Sequence, residues 1–152
     1  PCPDASSWLV PLLLWPGAHA RDDVPAIRRR MRSAGADVTL LPFLGAWSSW
    51  WSLVAEALDP LLTADVVLLH HPLRKGVADR FLQQLSKRLS VPLLPSDQWS
   101  EYLLHHPKAQ ALPLALAPNR MTESLSEAGG LQPLLHHSLI RQGLIDLLIA
   151  LP

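Results

Sequence analysis

The chain is short of most of the features that announce a function. Among its 152 residues there is one cysteine, Cys2, which excludes an internal disulfide framework and a cysteine-based zinc cluster and fits a reducing compartment, the cytoplasm. There is no excess charge of either sign, with 13 basic against 13 acidic side chains. A nucleic-acid binder would carry a basic surplus, so no such partner is expected. No apolar run approaches the roughly 18 residues of a membrane span, so no membrane partner is expected either. Also missing are a phosphate-binding glycine loop, a zinc-protease helix motif and a Gly-x-Ser-x-Gly elbow. Nor does a signal-peptide pattern precede the first apolar run. The chain opens on Pro1 and reads as a fragment or trimmed chain.

What is present is apolar substance in short pieces. Hydrophobic residues make up 49% and charged ones 17%, enough for a sizeable core in one ordinary domain or two small lobes. Apolar runs predict strands at Trp8–Leu14, Val38–Pro42, Asp65–Leu69, Val91–Leu94, Ala111–Leu116 and Leu131–Leu135. Amphipathic stretches between them predict helices at Val24–Ser33, Trp47–Leu58, Val77–Leu89, Trp99–His105, Met121–Ala128 and Ser138–Leu151. Unbroken apolar strands alternating with helices imply an α/β fold, a parallel sheet with helices on both faces. Prolines 11, 42, 92, 113 and 133 would each remove a ladder bond, so strand ends or edges are expected there.

The sequence also repeats itself. Pro11 and the apolar run after it match Pro113 and its run, and Leu41-Pro42-Phe43-Leu44 matches Gln132-Pro133-Leu134-Leu135, each followed by a helix. The natural division is a complete four-unit lobe over 61–152, preceded by the back half of a sister lobe over 1–60.

Seven histidines include three His-His pairs. An isolated histidine is ordinarily a surface or satisfied core residue, so position decides. His105-His106 end a predicted helix before Pro107, which suits a structural role at the helix dipole. His70-His71, His136-His137 and His19 follow predicted strands, and open α/β sheets bind ligands at the carboxyl ends of strands. Imidazole titrates near neutrality and is a common metal ligand. In the segment from Gly17 to Pro25, Gly17 permits the turn, Asp23 suits a helix N-cap and Pro25 the first helical turn. Arg28 to Arg32 read as a solvated helix face, whereas Arg21 and Arg74 lie close to histidines. Trp47, Trp50 and Trp51 could form a stacking surface for a flat ring or, more ordinarily, packing between helices or subunits.

Val10-Pro11-Leu12-Leu13-Leu14 followed by Gly17-x-His19-x-x-Asp22-Asp23-Val24-Pro25 resembles a segment of the CbiX-type sirohydrochlorin chelatases, class II enzymes that insert cobalt or iron into a reduced tetrapyrrole. Leu41-Pro42-Phe43-Leu44-Gly45 resembles the family's next strand. Val66-Val67-Leu68-Leu69-His70 resembles its opening strand, with His71-Pro72 where the family carries Gly-Ser. The resemblance implies flavodoxin-like lobes, with His19 and His70 as metal-binding and proton-accepting residues. It implies a divalent metal substrate, cobalt or iron, with no organic cofactor. It implies a carboxylate-rich tetrapyrrole substrate, for which Arg21 and Arg74 are the expected binding groups through bidentate pairing. In the second copy, Asn119-Arg120-Met121 stands at the His19 position. That departure and the missing front half of the first lobe leave a second reading, a degenerate tetrapyrrole-binding or interaction module. They also imply a homodimer or a partner chain that covers the open sheet edge or the tryptophan face.

Overall fold

A computed structural model describes residues 7–62, 65–73, 76–126 and 130–151. Cys2, Arg74, Lys75 and Ala128 therefore lie outside the described residues. The chain divides into two compact units, Pro1–Ser48 and Ser49–Pro152. Both are built from parallel strands and helices.

In the first unit β1 (Ser7–Leu9) and β2 (Val38–Leu40) pair in parallel, Ser7 opposite Val38 and Leu9 opposite Leu40. Helix α1 (Val24–Ser33) joins them, with the bounds expected from sequence and Pro25 in its first turn. Both strands are shorter than expected. Pro11 and Pro42 have no N–H to give to a ladder, so regular pairing stops at Leu9 and Leu40. The chain nevertheless stays docked, because carbonyls need no donor of their own. Leu9, Pro11 and Leu13 accept from the N–H groups of Leu41, Leu44 and Gly45 at 3.0, 2.9 and 2.9 Å. The two backbones come so close that a Cβ on Gly45 would sit 1.9 Å from the Leu14 carbonyl oxygen. Only glycine fits there.

The second unit holds a three-stranded parallel sheet in the order β4 (Leu93–Pro95), β3 (Val66–His70), β5 (Gln110–Pro113). Every residue of β3 is buried, as an apolar central strand covered on both faces must be. Its helices are α2 (Ser48–Leu58), α3 (Val77–Leu89), α4 (Trp99–His105), α5 (Arg120–Ser126) and α6 (Ser138–Ile149). Strand side chains alternate between faces. Val67 and Leu69 pack in one cluster with Trp99, Ala111 and Leu125, from α4, β5 and α5. Val66, Leu68 and His70 therefore point to the opposite face.

The expected strand Leu131–Leu135 is not one. Pro133 interrupts it and Leu134–His136 closes into a single 3₁₀ turn, although Leu131, Leu134 and Leu135 still donate to the carbonyls of Ala111, Ala115 and Leu116. The same device stands in the first unit at Leu44–Ala46. Phe43 and Pro133 are both extended before the turn, Leu44 and Leu134 are both fully buried within it, and Trp47 and His137 are extended again before α2 and α6. The repeat is thus real at this point, but its register is one residue off the sequence match: Phe43, not Pro42, corresponds to Pro133. Burial of the leucine sets the phase, and the proline is only one of several residues that tolerate the extended slot.

The tryptophans are packing residues. Trp50 and Trp51 are buried, and Trp51 meets Phe81 of α3 edge-on at 6.4 Å. Trp47 lies before α2 and donates its indole N–H to the Pro42 carbonyl at 2.9 Å. The trio does not share one helix face, so neither a stacking platform nor a subunit surface is built from Trp50 and Trp51.

Candidate functional site

His70 is the last residue of β3, on the sheet face that carries Val66 and Leu68, and is 4% exposed. Its Nδ1 lies 2.8 Å from the main-chain oxygen of His71. A carbonyl only accepts, so Nδ1 carries the hydrogen and, in the neutral ring, Nε2 carries the lone pair. Metal-binding histidines are commonly oriented in this way, with the other ring nitrogen tied to a carbonyl or carboxylate. Burial lowers the pKa of His70 below its ordinary 6.5. The His71 carbonyl and the Asp97 charge pull it back only in part, and His71 itself pushes the same way as burial. The ring is therefore neutral at pH 7.

The pH dependence follows from that direction. The unfolded chain takes up a proton near 6.5 and the folded one resists it, so the contribution of His70 to stability is fully present above 6.5 and is lost as pH falls through the folded value. Urea denaturation of the parent chain from pH 8 down to 5.5 should show that loss. It should be smaller in His70→Asn, whose side chain does not titrate.

Asp97 lines the same cavity as this imidazole and its charge acts on it. It lies in the 3₁₀ turn Ser96–Gln98 just after β4, where Pro95 pairs with His70 across the sheet. His70, Pro72, Leu73, Leu93, Asp97 and Gln98, with Leu82 and Ser86 of α3, line a cavity of about 440 Å³ at the carboxyl edge of the sheet. Nothing in the sequence marks Asp97 except its place two residues past a strand.

His19 stands in the first unit, in a π-turn His19–Asp23 that runs directly into α1. Its side chain is 81% exposed, with Nδ1 2.5 Å from Oδ2 of Asp23. Asp23 is consequently not the expected N-cap. The turn upstream already puts it in helical geometry with no capping bond, and its carboxylate swings back one turn to hold the histidine. π-turns are rare and concentrate at functional sites. Arg21 is exposed in the same turn.

In the remaining pairs one member of each makes a structural contact. The His106 N–H caps α4 on the Tyr102 carbonyl, and its ring stacks on Tyr102 at 4.2 Å. His137 reaches the Gln132 carbonyl at 3.3 Å, and His136 is exposed at the end of its 3₁₀ turn. Among the described residues no three histidine, cysteine or acidic side chains gather into a ready ion cage.

No family model matches the sequence, and no curated protein matches it. Solved structures do match. One is the sirohydrochlorin chelatase SirB from Bacillus subtilis subspecies spizizenii in complex with cobalt, with a TM-score of 0.61 and 19% identity over 93% of this chain and 67% of that one. Another is SirB from Bacillus subtilis with Fe3+, with a TM-score of 0.65 and 17% identity over 93% and 69% of the two chains. The chain has the chelatase fold.

Parallel sheets flanked by helices, as expected from the sequence, are what this fold supplies. His19 lies in the connection between β1 and α1, whereas His70, expected just past its strand, is the last residue of β3. No helix among the described residues is long and apolar enough to cross a membrane.

Proposed function

We propose that the protein is a sirohydrochlorin chelatase-like enzyme that inserts cobalt(II) or iron(II) into a reduced tetrapyrrole, with no organic cofactor and in the cytoplasm. The observation that carries this reading is His70, neutral, with its lone pair on Nε2, beside Asp97 in a cavity at the carboxyl end of a parallel sheet. Insertion requires a group that holds the ion and groups that take the two pyrrole protons it displaces. His70 serves the first need through Nε2. Once the ion passes to the macrocycle, that lone pair accepts one proton, and the Asp97 carboxylate takes up the other and passes it to water. His19, tied to Asp23, is a second imidazole for the same chemistry. Arg21 and Arg74 bind substrate carboxylates. In this reading residues 61–152 form one complete lobe and 1–60 the back half of another, as the repeated strand–turn–helix device supports. A homodimer or a partner chain belongs to the same reading, and the matched SirB chains extend beyond the part this chain covers.

A second reading has its own support. With no three-ligand cluster among the described residues and Asn119-Arg120-Met121, without a histidine, where the repeat would place a second His19, the chain could bind a tetrapyrrole without metallating it. Following the sirohydrochlorin spectrum with cobalt(II) or iron(II) separates the two, since only the chelatase converts it faster than the protein-free control. His19→Ala should slow that conversion by about 10²–10⁴-fold. It should change stability by less than about 1 kcal/mol, as for other exposed side chains. An unchanged rate would leave the chemistry to His70.

A further inference from the structure

We infer that Pro72 is a positioning residue for His70, holding its imidazole in the one tautomer whose Nε2 can take a metal ion or a proton. This rests on the chelatase reading and adds to it a residue outside the ligand set. The hydrogen bond that fixes the ring runs from Nδ1 to the His71 carbonyl oxygen at 2.8 Å. That oxygen turns about the bond governed by the ψ angle of His71, and His71 precedes a proline. The proline ring bars its predecessor from helical geometry and confines ψ to the extended range, which leaves the carbonyl one orientation. Proline does a second thing. If ψ turned by about half a revolution, the N–H of residue 72 would replace the oxygen in front of Nδ1 and donate to it. The lone pair would then sit on Nδ1 and the hydrogen on Nε2, which could then neither ligate nor accept a proton. Pro72 has no N–H, so the competing arrangement has nothing to offer the ring. A Gly-Ser connection would lack both restraints, so His71-Pro72 is a different way of aiming the same histidine. Pro72 itself is exposed and lines the cavity, which allows substitution without disturbing the core.

The test uses the intact chain with ¹⁵N-labelled histidine at pH 8, where neutral tautomers are distinguished by their nitrogen shifts, together with titration by cobalt(II) alone. The parent should show His70 protonated on Nδ1. Pro72→Ala should populate the Nε2–H form and weaken cobalt binding by about 10–100-fold, the usual cost of losing a ligand's orienting partner. His71→Ala keeps the carbonyl and the proline, and should change neither. An Nε2–H parent, or a Pro72→Ala that loses cobalt with no change of tautomer, would overturn the inference. If the tautomers respond as expected but the parent binds no cobalt, the positioning role stands and the metal reading fails.

Discussion

His70→Asn should abolish most of the chemistry while leaving the fold intact. The asparagine amide can take the place of Nδ1–H and donate to the His71 carbonyl, but it has no counterpart of the Nε2 lone pair. Metal insertion is therefore expected to fall by about 10²–10⁴-fold, and the cobalt affinity of the second unit to fall with it. Thermal unfolding should stay within about 1 kcal/mol of the parent, because the orienting hydrogen bond survives. His70→Ala should differ in one respect. It loses the activity equally but also leaves a void at a position 4% exposed, and truncations of large buried side chains cost about 2–5 kcal/mol. Comparison of the two variants separates lost chemistry from lost packing. Full activity in His70→Asn would remove His70 from the site.

The largest effect on stability is expected at Gly45. An added methyl would lie 1.9 Å from the Leu14 carbonyl oxygen, 2.6 Å from its carbon and 2.9 Å from its Cα. All three are backbone atoms, so no rotamer change relieves the clash, and the strand-end segments 11–14 and 41–45 must separate. The Gly45 N–H bond to Leu13 at 2.9 Å goes with them. Ordinary overpacking costs about 1–3 kcal/mol, and Gly45→Ala should reach or exceed the top of that range. Gly17→Ala is the control, since nothing lies within 4 Å of its added methyl, and it should stay within about 0.5 kcal/mol. Urea denaturation measures both, and amide exchange across 38–46 should accelerate only in the Gly45 variant.

Helices were the most legible part of this chain. α1, α3 and α4 run between the residues expected, because Pro25 and Gly35 punctuate the first, Gly76 opens the second and Pro107 follows the third. Strand ends were less so. A proline halts donation but not acceptance, and the sequence does not say how far a run of carbonyls stays docked beyond it. That is why 10–14 and 131–135 read as strands yet carry only scattered bonds. At the site, His19 and His70 were legible as residues following strands. Asp97 was not, since a carboxylate in a short turn has no periodicity to mark it. Asp23 misled for a physical reason: the residues before it are already wound in a π-turn, so its side chain had a histidine to meet rather than an N–H to cap.

In the proposed site, Nε2 of His70 holds the metal at the carboxyl end of β3. Crystals grown with cobalt(II) and measured on both sides of the cobalt absorption edge test it directly. An anomalous peak is expected at bonding distance from Nε2, about 2 Å. A fully occupied cobalt bound elsewhere, with His70 bare, would contradict it.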